Sequence, residues 1–244
     1  MDPDSISNLV EQLDPTSEPT VAIIKHAKIT GKRLGVFSSS FNPPTIAHLE
    51  LMRRAKEDFL LDEILALAGK TNADKMSYEC PLEDRLAMLS LALEDFPQAS
   101  IGLSSHAFYA DMIDAIMRVY PRETGLHFIV GFDTFERVLD PQDRYTNRYH
   151  RVFSGRSEAL DYLLSRSQLI VAGRAGAGLQ NVEELVRSES DLKRDRIQFL
   201  EFPADFGEVS STNVRNRLRE NLSITGLVPA AVENFIREHQ LYTK

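Results

Sequence analysis

The sequence predicts an α/β fold: a doubly wound parallel sheet with helices on both faces and a C-terminal helical segment. Short apolar runs alternate along the chain with longer segments in which apolar residues recur at helical spacing. The short runs are mostly uniformly apolar, which is typical of strands buried on both faces of a parallel sheet. Strands that alternate with helices in this way favour parallel strands joined by helical crossovers.

The apolar runs are predicted as the core strands of the sheet, and small or polar residues follow most of them. In chain order the predicted strands are Leu34–Phe37, Glu63–Ala68, Ser100–Ser105, Leu126–Val130, Gln168–Gly173 and Arg196–Phe202.

The segments between the strands carry apolar residues on one helical face, and some begin at a Pro or at a Ser or Thr cap. The predicted helices are residues 45–60, Leu82–Phe96, Tyr109–Val119, a helix that ends at Leu139, Ser157–Arg166, Ser210–Leu222 and Pro229–Leu241. Residues 140–157, which are rich in Arg and Tyr, are predicted as a solvated loop or lid. The Gly-rich residues 173–178 are predicted as a turn.

The N-terminal part differs in composition from the rest. Residues 1–20 are acidic and polar, and we expect a loosely attached extension over residues 1–30, with a short helix at Ile6–Leu13. Val21–Ile24 is apolar and suits an edge strand. Because no composition break follows residue 31, residues 31–244 are predicted as one domain.

The composition excludes several classes of protein. A hydrophobic content of 43% in 244 residues supports a folded core and excludes wholesale disorder. The net charge of −8 disfavours a general nucleic-acid binder. The single cysteine, Cys80, allows no internal disulfide and fits a reducing compartment. With no membrane-length apolar run and no signal-peptide pattern, we expect a soluble cytoplasmic protein without a membrane partner.

One stretch carries the strongest chemical signal. The chain from Leu34 to His48 reads as a strand, a loop of small residues and a helix that opens at Thr45. Free N–H groups and the helix dipole favour an anion at such a helix start. His48 lies about one turn beyond Thr45 on the same face. A histidine beside the α-phosphate of a nucleotide can stabilise charge during nucleotidyl transfer, although a partly buried helix histidine is the alternative.

This stretch resembles the G-x-F-x-P…[H/T]-x-G-H signature of the nucleotidylyltransferase superfamily, with Thr45–His48 at the catalytic place. Near the C-terminus, Val209–Arg215 resembles the second signature of that superfamily, I-S-S-T-x-x-R. Two phosphate-binding signatures in the family's order are more specific than either one. The departures are Ala47 in place of Gly and the serines 38–40 in place of the usual Gly-Gly-Thr.

Further segments are similar to pyridine-nucleotide adenylyltransferases, whose fold is Rossmann-like. Glu83–Leu89 resembles their E-x-R-x-x-M-L segment, and Phe128–Asp133 their F-I-x-G-x-D strand end. Gly226–Tyr242 resembles the tail of the bacterial nicotinate mononucleotide enzymes. The chain has no Trp, which many members stack on the pyridine ring. Gly131–Pro141 instead resembles a branch with G-F-D-T-x-x-R-x-x-D-P, linked in part to nicotinamide mononucleotide.

The resemblance implies transfer of an adenylyl group from ATP to nicotinamide or nicotinate mononucleotide, with Mg²⁺ carried by the ATP phosphates and no metal site on the protein. Among enzymes, the alternative is transfer to another phosphorylated acceptor, such as phosphopantetheine, or a cytidylyl transfer. An inert nucleotide-binding regulatory protein is the alternative from another class. The choice between the amide and the acid, and the oligomeric state, stay open.

The resemblance also assigns roles to residues. The predicted catalytic residues are Thr45, His48 and Arg215. The alternative interpretation of Arg215 is a surface arginine. The predicted ATP-binding residues are Phe37, Ser38, Ser39, Ser40, Lys75, Gly131, Asp133, Arg174, Ser211 and Thr212. Asp133 has helix capping as its alternative. The predicted mononucleotide-binding residues are Asn42, Phe132 and Phe135, with Tyr145 and Tyr149 as further candidates for the stacking face.

Overall fold

A computed structural model describes residues 3–70, 79–173, 178–188 and 192–243. Within these ranges the chain forms a seven-stranded sheet. The strands are β1 (Val21–Lys25), β2 (Arg33–Ser39), β3 (Glu63–Gly69), β4 (Ala99–Ser104), β5 (Gly125–Gly131), β6 (Ser167–Gly173) and β7 (Ile197–Glu201).

The strand order is β1-β4-β3-β2-β5-β6-β7. The six strands from β2 to β7 are parallel to their neighbours, and β1 is antiparallel to β4 at the edge. The chain therefore moves outward from β2 in one direction through β3 and β4, and then in the other through β5, β6 and β7. The reversal lies between β2 and β5, and ligands of open α/β sheets bind at the carboxyl ends of strands at such a point.

The helices cover both faces of the sheet, as the sequence predicts. They are α1 (Pro3–Gln12), α2 (Ile46–Asp58), α3 (Leu82–Ala92), α4 (Tyr109–Val119), α5 (Phe132–Leu139), α6 (Arg156–Arg166), α7 (Gly178–Ser188), α8 (Ser211–Arg219) and α9 (Ala230–Glu238). Helix α7 is absent from the sequence prediction, which ends its Gly-rich turn where this helix begins. Short 3-10 turns occur at Thr146–Arg148, Arg194–Arg196 and Ala204–Phe206.

Two apolar layers hold the helices on the sheet. Side chains of α1, α2 and α3 pack on one face, where Met52 and Leu86 are completely buried. Side chains of α4 to α7 pack on the other, around Phe128 and Phe135. Helices α8 and α9 form a third cluster against α3, in which Cys80 is buried. Burial raises the pKa of the Cys80 thiol to about 11, so the thiol is protonated at neutral pH.

The N-terminal segment is packed rather than loosely attached. Ile6 and Leu13 are buried against the α2 and α3 side of the sheet. The Lys70 ammonium, just after β3, donates to the carbonyls of Val10 at 2.5 Å and Leu13 at 2.6 Å. A cation at the last carbonyls of a helix is favourable. The predicted edge strand at Val21–Ile24 is confirmed as β1, while the division into residues 1–30 and 31–244 stays a prediction.

Among the residues that the structure describes, no helix combines the length and the apolar character that a membrane crossing requires.

Candidate active site

A cavity of about 340 Å³ opens at the carboxyl ends of β2 and β5. It lies where the strand order reverses, between the loop that enters α2 and the start of α8. Its described lining is Phe37, Ser38, Ser39, Ser40, Thr45, Ala47, His48, Leu51, Gly131, Thr134, Arg137, Ala172, Phe202, Phe206, Val209, Ser210, Ser211, Thr212 and Arg215. Ten of the predicted catalytic and ATP-binding residues are therefore brought together from distant parts of the sequence.

The first wall is the β2–α2 loop and the first turn of α2. Thr45 is the N-cap of α2, and its hydroxyl accepts a long hydrogen bond of 3.4 Å from the backbone N–H of His48. In return, the backbone N–H of Thr45 donates to Nδ1 of the His48 ring at 2.9 Å. This reciprocal arrangement is a capping box in which a histidine stands where Glu or Gln is usual.

The capping box determines which ring nitrogen of His48 carries the proton in the neutral ring. A backbone N–H only donates, so Nδ1 accepts and the proton of the neutral ring is on Nε2. Nε2 lies 3.4 Å from the hydroxyl oxygen of Ser39, which also lines the cavity. The rings of Phe37 and Phe41 lie beside the imidazole, at centroid distances of 5.8 and 5.4 Å. The half-buried His48 thus presents an N–H donor on the cavity side.

The second wall is the N-terminus of α8. Ser210 is the N-cap, and its hydroxyl accepts from the backbone N–H of Asn213 at 3.1 Å. The hydroxyl of Ser211 donates to the carbonyl of Pro43 at 2.7 Å, which ties this helix start to the first wall. An N-terminus of this kind offers free N–H groups to an anion.

Arg215 joins the two walls as well. Its side chain is buried, and Nη1 donates to the carbonyl of Asn42 at 2.7 Å. Nη2 donates to the hydroxyl of Thr212 at 3.3 Å, and Nε lies 3.8 Å from a Glu79 carboxylate oxygen. A surface arginine, the alternative raised by the sequence, is therefore wrong for Arg215.

The third wall follows β5. Gly131 is the N-cap of α5, and a side chain there would meet no atom within 4 Å, so the backbone is open to a ligand. Thr134 and Arg137, three residues apart on α5, share the face that lines the cavity. Sequence reasoning missed both as site residues, although both belong to the G-F-D-T-x-x-R segment. Asp133 is exposed in the first turn, and the capping alternative for it is wrong because Gly131 is the cap.

The remaining wall is apolar, and the sequence prediction missed it. Ala172 at the end of β6, Phe202 and Phe206 after β7, and Val209 before α8 line this part of the cavity. The two phenylalanine rings contact each other at a centroid distance of 5.6 Å. The available signal was Phe202 at the end of a predicted strand, followed four residues later by Phe206.

Several predicted mononucleotide residues lie elsewhere. Phe135 is completely buried among the core side chains, so it presents no face for stacking. Phe132 is half-buried against the same core. Asn42 is buried, and its side-chain oxygen accepts from the Tyr242 hydroxyl at 2.7 Å. These three residues are not among the described residues that line the cavity.

The aromatic candidates in the Arg/Tyr segment also pack away from the cavity. Tyr145 is buried against Phe108, and Tyr149 contacts Phe108 and Phe153. Neither tyrosine is among the described lining residues. Lys75 and Arg174 lie outside the described residues.

The charge of the cavity favours an anionic ligand. Among its described lining residues, the ionisable side chains are His48, Arg137 and Arg215, and none is a carboxylate. Two helix N-termini, those of α2 and α8, face the same space and add their positive ends. A polyphosphate suits such a site, and the apolar wall suits a base.

Comparison with known proteins identifies the family. A family model described as cytidylyltransferase-like matches residues 36–217. A probable nicotinate-nucleotide adenylyltransferase of Dehalococcoides mccartyi is 30% identical over 220 residues, which cover 87% of this chain and 98% of that protein. A probable nicotinate-nucleotide adenylyltransferase of Gemmatimonas aurantiaca is 30% identical over 215 residues, 86% of this chain and 92% of that protein. The chain belongs to the nicotinate-nucleotide adenylyltransferase family.

A solved adenylyltransferase structure shares the fold. The Plasmodium falciparum nicotinic acid mononucleotide adenylyltransferase complexed with NaAD has a TM-score of 0.65 and 17% sequence identity. The match covers 87% of this chain and 98% of that chain. It confirms the Rossmann-like α/β fold, and the family membership confirms the resemblance carried by the two signatures. The roles of individual residues in this adenylyltransferase stay predictions.

Proposed function

We propose that the protein transfers the adenylyl group of ATP to the 5′-phosphate of a pyridine mononucleotide. The products are a dinucleotide and pyrophosphate. The observation that carries this proposal is that two helix N-termini meet around the Nε2 of His48 in one cavity, whose described lining holds no carboxylate. The family membership supports it, since relatives matching most of the chain are named nicotinate-nucleotide adenylyltransferases.

The chemistry requires positioning and charge stabilisation. An oxygen of the mononucleotide phosphate attacks the α-phosphorus of ATP, the bond from that phosphorus to the bridging oxygen breaks, and pyrophosphate leaves. A phosphate nucleophile needs no base, so the protein's task is to align the groups and stabilise the redistributed charge. The Nε2–H of neutral His48 is suited to donate to an α-phosphate oxygen, with Thr45 holding the ring.

The start of α8 is suited to the β- and γ-phosphates. Its backbone N–H groups and the Thr212 hydroxyl offer donors, and the buried Arg215 brings a full positive charge. Ser38, Ser39 and Ser40 line the opposite side and would hold the phosphates from the β2–α2 loop.

The apolar wall is suited to the adenine base. Phe206 is half-buried and, with Phe202 and Ala172, offers a face on which a base can pack. Gly131 at the end of β5 and Asp133 in the first turn of α5 would contact the ribose, and Arg137 lines the cavity and can contribute a donor. The ATP roles of Lys75 and Arg174, and a stacking role for Phe132, stay predictions.

In this proposal, Mg²⁺ is carried to the site by the ATP phosphates. The donor set fits that route, because the described lining has no carboxylate that would hold the ion independently. Bound to the phosphates, such an ion would supply positive charge that neutralises the leaving pyrophosphate.

A location in the cytoplasm also stays a prediction.

The acceptor is tested by offering ATP and Mg²⁺ with nicotinate mononucleotide, nicotinamide mononucleotide and phosphopantetheine in separate reactions, and by measuring the dinucleotide or coenzyme product chromatographically. The names of the relatives favour the nicotinate compound, so we expect its kcat/KM to be the highest. A higher kcat/KM for the amide would support the branch resembled by Gly131–Pro141. Product from phosphopantetheine alone, or no turnover of any acceptor, would contradict the proposal.

A further inference from the structure

The β2–α2 loop contains a strained residue beside the predicted catalytic histidine. Phe41 has a φ of 46°, in the left-handed region that side chains with a Cβ rarely adopt. It is completely buried, and its ring lies 5.4 Å from the ring of His48. A non-glycine residue in this conformation is strained and persists only where its surroundings hold it.

The carbonyls on both sides of Phe41 are held by arginines. Nη1 of Arg85, on α3, donates to the carbonyl of Ser40 at 2.7 Å. Nη1 of Arg215, on α8, donates to the carbonyl of Asn42 at 2.7 Å. The two arginines are only 2% and 9% exposed, so both hydrogen bonds are shielded from water.

These two contacts can maintain the strained loop. A hydrogen bond from a charged donor is stronger than one between neutral groups, so two of them that are shielded from water can offset the strain of the left-handed Phe41. The Ser40 contact also sets the direction of the Phe41 N–H, because the C=O and N–H of one planar trans peptide group point in opposite directions. The conformation of this loop therefore depends on side chains from two distant helices.

We propose that Arg85 is a positioning residue for the adenylyl transfer. It is not among the described residues that line the cavity, so it acts through the loop. By holding the Ser40 carbonyl it maintains the left-handed Phe41, whose ring sets the orientation of the His48 imidazole. The inference rests on the proposed function for its kinetic test, but the position of the His48 ring can be measured without turnover.

The kinetic test compares Arg85→Gln and Arg85→Lys with Arg53→Gln. Arg53 is an exposed α2 arginine whose guanidinium contacts Glu50 and Glu57, and its replacement is the matched control. We expect Arg85→Gln to lower kcat about 10- to 100-fold with less than about a threefold change in the KM for ATP. Lysine keeps the charge but has a different donor geometry, so Arg85→Lys should recover part of the loss. Arg53→Gln should match the wild type.

A double-mutant cycle separates positioning from a general loss of structure. If Arg85 acts through His48, replacing it in a His48→Ala background should cost less than about threefold in kcat, because the group it positions is already absent. An equal loss in both backgrounds would show a role unrelated to His48 and would overturn the proposal. A kcat of Arg85→Gln within about twofold of wild type would overturn it too. Should Arg85→Gln fail to fold by thermal melting, the same cycle with Arg85→Lys decides.

Nitrogen-15 NMR of the histidine rings provides a readout that needs no turnover. We expect the Nδ1 and Nε2 shifts of His48 to change in Arg85→Gln and to stay at their wild-type values in Arg53→Gln. Unchanged His48 shifts in Arg85→Gln would overturn the positioning role even in an active enzyme. Changed shifts in a protein that forms no dinucleotide would support the positioning role while contradicting the proposed function.

Discussion

Nδ1 of His48 accepts a hydrogen bond from the backbone N–H of Thr45, with 2.9 Å between the two nitrogens. The same contact caps α2 and selects the ring tautomer that carries its proton on Nε2. Protonation of Nδ1 would replace this hydrogen bond with two opposed donors. The helix cap and the predicted catalytic donor are therefore one structural unit.

Replacement of His48 tests the donor role. We expect His48→Ala to lower kcat by about 10²-fold or more, as the loss of a preorganised donor to a developing charge does. The exposed His26 provides the control, and His26→Ala should keep the wild-type kcat. Steady-state assays of dinucleotide formation measure both, and a His48→Ala enzyme with unchanged turnover would show that the phosphates bind elsewhere.

Replacement of Thr45 tests the coupling of cap and catalyst. Thr45→Val removes the hydroxyl that caps α2 and lies 2.9 Å from Nδ1, so the free energy of unfolding should fall by about 1 kcal/mol. We expect kcat to fall as well, because the ring loses a contact that orients it. Thr45→Ser keeps the hydroxyl and should preserve both quantities in urea unfolding and steady-state assays. Full activity of Thr45→Val would show that the Thr45 cap does not contribute to catalysis.

Truncation of Phe206 tests the adenine assignment of the apolar wall. Phe206→Ala should raise the KM for ATP about 10-fold while kcat changes little, because a base-stacking contact is worth about 1–3 kcal/mol in the ground and transition states alike. Phe235→Ala is the control, since that half-buried ring lies on α9, outside the described cavity lining. An unchanged KM for ATP in Phe206→Ala would place the base elsewhere.

The pH dependence of stability tests the buried His127 on β5. Burial, together with the charge of Arg33, lowers the pKa of His127 below its ordinary 6.5. Below pH 6.5 the unfolded chain binds a proton that the folded chain does not. His127 therefore makes the free energy of unfolding rise with pH up to about pH 6.5.

His127→Gln removes the proton-binding group and retains an N–H donor. We expect this variant to lose less stability than the wild type between pH 7.5 and pH 5, measured as the free energy of unfolding in urea at about one-unit intervals. His26→Gln, at an exposed position, is the control for the loss of a histidine. Identical pH dependence of wild type and His127→Gln would contradict the buried neutral state.

The strands, the main helices and both phosphate loops were accessible from the sequence because their signals are local. Apolar runs mark the buried strands, and Thr45 marks the start of α2 by its capping preference. The two signatures were brought to one cavity because β2 and the β7–α8 connection share the carboxyl edge of a parallel sheet.

The site residues and contacts that the sequence did not predict depend on which face of a helix or strand packs against which neighbour. Phe135 and Leu139 are one helical turn apart and both face the core, so the opposite face of α5, with Thr134 and Arg137, meets the cavity. The contact of Arg85 with Ser40 joins residues 45 positions apart and has no local signal. Packing of α1 likewise depends on Lys70, whose partners lie far away in sequence.

We expect the triphosphate of ATP to lie between His48 and the N-terminus of α8. A crystal structure with Mg²⁺ and α,β-methylene-ATP, which resists cleavage at the reacting bond, shows this position. It should contain an α-phosphate oxygen within hydrogen-bond distance of His48 Nε2, the β- and γ-phosphates at Thr212 and Arg215, and the base against Phe206. A triphosphate bound away from His48, or oriented with its γ-phosphate there, would contradict it.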